Sequence, residues 1–221
     1  MVEWHRIKAC LFDFDGTLVD TMQGFADIAA ATLEKHYGIP FKSGRRQYLD
    51  TSGIPFFQQL EIICPSGDKN KVCAQEFESE KLRGFFQSSP SPKTMEALSQ
   101  LHSAGYKLIV SSNNFQHNLD SYLEKYPLPL DLILGFDGKG LAKGRPHFEY
   151  VQQHFGITFN EMLFCGDSLK DAERAQASQV PFVALTGIFS RTQFLDKFPS
   201  IEVVDELAEL VKELLSRSAF S

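Results

Sequence analysis

Ala9-Cys10-Leu11-Phe12-Asp13-Phe14-Asp15-Gly16-Thr17-Leu18-Val19-Asp20 decides how the rest of the chain is read. Its apolar run, residues 9–14, has the length and composition of a buried strand and is closed by a glycine turn. Side chains alternate along a strand, so Asp13 and Asp15 are expected on one side, at the strand's end, where Gly16 lets the chain turn sharply. Carboxylates that close repel each other unless a cation sits between them. A divalent metal is the simple answer, and oxygen ligands suit Mg²⁺. A bare Asp-x-Asp reads better as a polar turn after a strand. The attached Gly-Thr-Leu-Val-Asp makes the longer string specific.

Downstream of this string the pattern changes twice. Phe25, Ile28, Ala29, Leu33 and Tyr37 recur at helical spacing in 20–38, and Gly38 with Pro40 stops that helix. A loop over 43–55, a helix over 56–63, a breaker at Pro65-Ser66-Gly67-Asp68 and a polar amphipathic helix over 69–86 follow. No β-alternation interrupts them, so 20–90 reads as a small α-helical domain, joined back through Ser88-Ser89-Pro90-Ser91-Pro92. From Thr94 helices alternate with short apolar runs: strands are expected at 107–111, 130–136, 162–165, 181–185 and 201–204, with helices at 118–126, 146–155, 169–178 and 205–216. Continuous apolar strands alternating with helices indicate a parallel sheet covered on both faces. The expected fold is therefore α/β, a Rossmann-like doubly wound core over 1–19 and 91–221 with the helical domain inserted at 20–90. Ligands of such sheets bind at the carboxyl ends of the strands.

Three further strand ends carry chemistry. Leu108-Ile109-Val110-Ser111-Ser112-Asn113 ends in two hydroxyls and an amide, which with backbone N–H groups hold phosphate oxygens without adding charge; alone, it reads as an ordinary helix N-cap turn. Ala142-Lys143-Gly144-Arg145-Pro146-His147-Phe148 places a cation just before a helix, though a lone lysine is usually a solvated surface charge. Gly138-x-Gly140-x-x-Lys143 lacks the third glycine of a dinucleotide fingerprint. In Cys165-Gly166-Asp167-Ser168-Leu169-Lys170-Asp171, Asp167 ends a strand and Asp171 follows one helical turn later. Such a pair completes a Mg²⁺ shell or anchors its waters, the plain alternative being an Asp helix cap.

Four such segments in this order resemble the motifs of the haloacid dehalogenase superfamily, whose members are mostly phosphatases. The resemblance covers the core from Lys8 onward and matches the insert in position and type, as a type 1 helical cap. It implies that Asp13 is the nucleophile that forms an aspartyl-phosphate, and that Asp15 is the general acid and base. It further implies that Thr17, Ser111, Ser112, Asn113 and Lys143 bind the substrate, with Ser111 as the phosphate-contacting Ser/Thr. Mg²⁺ would be held by Asp13, the main-chain carbonyl of Asp15, Asp167 and Asp171. Against the pattern Lys-Pro-x-Pro-acidic, Lys143 to His147 match with Gly144 in place of the first proline. A second register puts Arg145 ahead of Pro146 as the cation, and both stay open. Asp20-Thr21 and the Ala-rich segment Ala26, Ala29, Ala30, Ala31 are similar to the phosphoglycolate phosphatase branch. Asp15 argues against a 2-haloacid dehalogenase, a phosphonatase or a transport ATPase. A β-phosphoglucomutase places a His where this chain has Phe25. The expected activity is thus Mg²⁺-dependent hydrolysis of a small phosphate ester, the alternatives being a mutase or a non-catalytic binding module. Arg45-Arg46-Gln47-Tyr48-Leu49-Asp50-Thr51-Ser52-Gly53-Ile54-Pro55-Phe56 is a candidate specificity loop, or else a solvated one.

Composition fits these expectations. The chain has 221 residues, 43% of them hydrophobic and 20 of them Phe, enough for a real core. A net charge of −6 argues against a nucleic-acid binder that relies on counterion release, and no membrane partner is expected. Residues 1–8 lack the apolar region of a signal peptide, no stretch is long enough to span a bilayer, and Ser218-Ala219-Phe220-Ser221 matches no lipidation or retention signal. Cys10, Cys64, Cys73 and Cys165 form no Cys-x-x-Cys pair, so a reducing, cytoplasmic setting is expected, without disulfides or zinc. The protein is expected to be a monomer or a weak homodimer.

Overall fold

The computed structural model describes residues 2–218; the last three residues of the terminal Ser218-Ala219-Phe220-Ser221 lie outside the described residues. The chain divides into two compact units, one built from residues up to Val19 and from Pro90 onward, the other from Asp20 to Ser89. In the first unit the elements run β1 (Ala9–Phe12), then after the inserted unit α5 (Pro92–Ser103), β2 (Lys107–Phe115), α6 (Gln116–Lys125), β3 (Leu132–Phe136), α7 (Arg145–Phe155), β4 (Met162–Gly166), α8 (Leu169–Ser178), β5 (Phe182–Leu185), α9 (Arg191–Lys197), β6 (Glu202–Val204) and α10 (Leu207–Ser218). The second unit holds α1 (Met22–Tyr37), α2 (Phe41–Asp50), α3 (Phe56–Ile63) and α4 (Asn70–Phe85).

Among the described residues the strands make one sheet in the order β3-β2-β1-β4-β5-β6. Every neighbouring pair is parallel, with Leu11 opposite Ile109 on one side and Phe164 on the other. From β1 the chain first steps outward to β2 and β3, then crosses back to place β4 on the opposite flank of β1. The carboxyl ends of β1 and β4 therefore border the point where the winding reverses, where such sheets bind ligands.

One face of the sheet is sealed by a contiguous apolar cluster. Leu11, Ile109, Phe164 and Phe182 pack with Phe148 and Val151 of α7, Ala172 and Ala175 of α8 and Phe194 of α9. Phe164 meets Phe148 and Phe182 edge to face at 5.5 and 5.7 Å. Each such large side chain contributes ~1.5–3 kcal/mol by leaving water, so this packing fixes where α7 and α8 start. No described helix is long and apolar enough to cross a membrane.

Four sequence expectations need correction. Residues 43–55, expected as a loop, include most of α2. That helix has few apolar residues because a glycine forms part of its contact with α1: a Cβ on Gly44 would lie 3.2 Å from Ala30 Cα. Its one buried aromatic, Tyr48, packs on Phe56 and Phe77 at 5.8 and 5.6 Å. The first strand ends at Phe12 rather than residue 14, while β2 runs on to Phe115, past the expected end at 111. Helix α9 was not anticipated, although Ser190 and Gln193 form a reciprocal capping box at its start.

Candidate active site

Asp13 is the first residue beyond β1, and its N–H still donates to Cys165 O of β4 at 2.9 Å. Asp167 is the first residue beyond β4. Asp171 sits in the first turn of α8, where Ser168 caps the helix: Ser168 Oγ accepts from the Asp171 N–H at 3.1 Å and donates to Asp171 Oδ2 at 2.7 Å. Gly166 permits this close approach, since a Cβ there would stand 2.7 Å from Asp171 Oδ2. Carboxylate oxygens of Asp13, Asp167 and Asp171 lie within 4.8 Å of one another, and all three residues are buried.

Lys143 reaches into this cluster from the loop before α7. Its Nζ lies 2.8 Å from Asp13 Oδ1 and 2.7 Å from Asp171 Oδ1, with 2% of the side chain exposed. Arg145, the other candidate cation, is exposed and pairs with Glu149 at 2.7 Å. The charges around Lys143 do not balance. Burial pushes the Asp13 carboxyl up to about 7, Asp171 and Asp15 push the same way, and Lys143 opposes them. Burial, then Asp13 and Asp171, hold Asp167 well above the usual carboxylate range. Burial alone would lower the Lys143 ammonium, but Asp13 and Asp171 outweigh it and raise the value. A compact, all-oxygen, net-negative donor set of this kind fits a hard divalent cation.

Asp15 lies past the paired part of β1, close enough to Asp13 to raise its carboxyl. Because β1 stops at Phe12, the chain is already turning at this point: Leu18 N–H donates to Phe14 O at 2.9 Å and Gly16 N–H to Val19 O at 2.8 Å. The Asp15 carboxylate accepts from Asn114 Nδ2 at 2.5 Å and is not one of the three gathered carboxylates. Phe14 between them is fully buried, with its ring on Tyr122 at 5.0 Å. Thr17 is buried too, and its Oγ1 has no hydrogen-bond partner among the described residues.

At the end of β2 the two serines diverge. Ser111 Oγ lies 2.8 Å from His147 Nδ1, while His147 Nε2 lies 3.2 Å from the Gly135 carbonyl. A carbonyl only accepts, so Nε2 carries the proton, Nδ1 accepts, and the Ser111 hydroxyl donates to it. The imidazole stays neutral: burial, aided by nearby Lys143 and Arg174, brings its pKa down to about 4 against the pull of the Gly135 carbonyl. The Ser111 proton is thus already committed. Ser112 Oγ instead accepts from the Asn114 N–H at 3.1 Å, which leaves its own proton to donate. A shift in the β2–β3 register between Ser111 and Phe115 accompanies this change of direction. Asn113 is half-buried beside them.

Sequence reasoning assigned no role to Asn114, His147, Ser168 or Arg174. Ser168-x-x-Asp171 carries a capping signature that was readable. Nothing local marks Asn114, because its partner is 99 residues away in the chain.

The chain matches the haloacid dehalogenase-like hydrolase family over residues 10–185. It is 25% identical over 220 residues to a phosphoglycolate phosphatase of Nitrosococcus oceani, covering 95% of this chain and 96% of the relative. With the pyrophosphatase PpaX of Halalkalibacterium halodurans it shares 24% identity over 169 residues, 75% of this chain and 77% of the other. A solved hydrolase of the haloacid dehalogenase-like family from Streptococcus pneumoniae superimposes with a TM-score of 0.79 at 21% identity, over 94% of this chain and 98% of that one. Since the match spans most of its length and includes all four strand-end motifs, the chain belongs to the haloacid dehalogenase-like hydrolase family.

Proposed function

We propose that the protein is a Mg²⁺-dependent phosphatase that hydrolyses a small phosphate ester through an aspartyl-phosphate. The observation that carries this reading is the buried bridge of Lys143 between Asp13 and Asp171, next to Asp167. Phosphate esters resist anionic nucleophiles, so a site that attacks them with a carboxylate must gather positive charge and align the reactants. Relatives named as phosphoglycolate phosphatase and pyrophosphatase agree with phosphoryl chemistry on small substrates.

In this reading an Asp13 oxygen attacks phosphorus as the bond to the leaving oxygen breaks, and Asp15 gives that oxygen a proton. Water then attacks the acyl phosphate, Asp15 takes its proton, and inorganic phosphate leaves with Asp13 regenerated. Asn114 holds the Asp15 carboxylate in place for both transfers. Lys143, Ser112 and Asn113 grip the phosphoryl oxygens, together with the hydroxyl of Thr17, which has no partner among the described residues. Ser111 acts indirectly, by tying β2 to α7 through His147. Asp13, Asp167 and the Asp15 main-chain carbonyl would hold Mg²⁺, which supplies charge neutralisation and alignment when bound. Asp171, engaged by Lys143 and Arg174 on one oxygen and Ser168 on the other, is assigned to anchoring Lys143. The inserted helical unit would serve as the cap that excludes water and reads the leaving group. Arg45, in its candidate specificity segment, is bound to Asp27 and Gln23, which makes it a poor ligand contact.

The test is release of phosphate from p-nitrophenyl phosphate and from a panel of phosphorylated metabolites that includes a hexose 1-phosphate. Wild type is compared with Asp13→Asn, with Mg²⁺ or with chelator. Mg²⁺-dependent turnover lost in the variant is expected. Equal rates for the two proteins, or isomerisation of the hexose phosphate without phosphate release, would overturn the proposal.

A further inference from the structure

Gly144 and Arg174 form a pair that the phosphatase reading does not use. Gly144 follows Lys143 directly and has φ +106° and ψ −138°, a conformation that proline and other L-residues are barred from. The space above it is filled by the stem of Arg174: a Cβ at Gly144 would meet Arg174 Cδ at 3.0 Å and Cγ at 3.3 Å. From this seat Arg174 Nη1 reaches Asp171 Oδ1 at 3.2 Å, the same oxygen that Lys143 contacts at 2.7 Å. The Asp171 side chain is fully buried, whereas Arg174 is about one-fifth exposed, at 22%. One buried carboxylate oxygen therefore has two counter-ions, one facing the reacting groups and one facing the rim.

We propose that Arg174 is a positioning residue of the phosphoryl site, the counter-ion that keeps Asp171 neutralised while Lys143 turns to the phosphoryl group. Resting, Lys143 divides its ammonium between Asp13 and Asp171. When a phosphoryl group arrives and Asp13 becomes bonded to phosphorus, Lys143 must follow the developing charge on the phosphoryl oxygens. Asp171 then loses its nearest cation while its side chain is fully buried, and an uncompensated buried charge is costly. Arg174 is already in contact and absorbs that loss without a conformational search. Its contribution grows as Lys143 moves, so it acts on the transition state more than on substrate binding.

The stem and the charge can be separated. Arg174→Met keeps an apolar chain over Gly144 and removes the cation; Arg174→Lys restores a cation on a similar stem. This inference rests on the phosphatase reading, so wild type, both variants and Asp13→Asn are assayed together with p-nitrophenyl phosphate and Mg²⁺, each with a urea unfolding curve. The expected result is kcat about tenfold lower in Arg174→Met with KM within about twofold, as for loss of one charge-assisted contact that strengthens in the transition state. Arg174→Lys should recover most of the rate, and the unfolding midpoints of both variants should stay close to wild type. Wild-type kcat in a folded Arg174→Met protein would overturn this proposal alone, because cover for Gly144 would then be the residue's only role. A change confined to KM, or no rescue by lysine, would likewise overturn it. Inactive wild type would instead defeat the phosphatase reading, and this proposal with it.

Discussion

Replacing Lys143 by methionine keeps the length and apolar contacts of the side chain and removes one ammonium from the interior. The side chain is 2% exposed and its ammonium touches two buried carboxylates, at 2.8 and 2.7 Å. Removing one partner of a buried pair costs about 3–5 kcal/mol, because the other charge is left without compensation. Proton uptake limits this cost. Burial already holds Asp13 up at about 7 against an ordinary value of 3.8, so the folded protein takes up protons more readily than the unfolded chain across that window. A folded-state pKa raised in this way means that stability falls as pH rises, and without Lys143 the window extends upward. Each unit of extension is worth ~1.4 kcal/mol above it. The penalty for Lys143→Met in metal-free buffer should therefore be about 3 kcal/mol at about pH 8 and about 1 kcal/mol at about pH 5. Urea unfolding at both pH values measures it, and kcat should fall by about 10²–10³ as for loss of a preorganised charge-stabilising donor. A penalty below about 1 kcal/mol at the higher pH, or one independent of pH, would refute the reasoning.

Other expectations follow from the same geometry. His147 is depressed from 6.5 to about 4, so the unfolded chain binds its proton first; stability should be lost as pH falls between those values, by roughly 3 kcal/mol in all, and His147→Gln should flatten that slope in thermal melts. An unchanged slope would mean the imidazole is charged in the fold. Gly144→Ala should cost about 1–3 kcal/mol in urea unfolding, from its positive φ and the Arg174 contact, and the cost should shrink in an Arg174→Ala background. Millimolar Mg²⁺ added to chelator-treated protein should raise the melting temperature more at about pH 8 than at about pH 5, since Asp13, held up at about 7, is ionised only at the higher pH. No shift at either pH would count against a metal at this cluster.

The order of the strands was readable because each strand of this sheet contains a short apolar run, a signal local to a few residues. The ends of those runs pointed to Asp13, Lys143 and Asp167, which the structure gathers into one cluster together with Asp171. Direction at a strand end was not readable. Alternation holds only while pairing lasts, and β1 stops at Phe12, so the pattern did not reveal that Asn114, from the end of β2, holds the Asp15 carboxylate. Ser111 and Ser112 are adjacent and chemically alike, and only the position of His147, brought in by α7, tells which hydroxyl is already engaged. Helix α2 escaped for a related reason. Its packing surface includes the absence of a side chain at Gly44, which contributes nothing to a hydrophobic pattern.

The central claim is that Asp13 forms a covalent bond to phosphorus. The direct measurement is acid quench of a single turnover, borohydride reduction of any acyl phosphate, and mass spectrometry of the peptide that spans residues 9–20. Conversion of Asp13 to homoserine in wild type, and its absence without substrate, is the expected result. Full substrate turnover with residue 13 unmodified at every quench time, under conditions that trap a known acyl phosphate, would contradict the account.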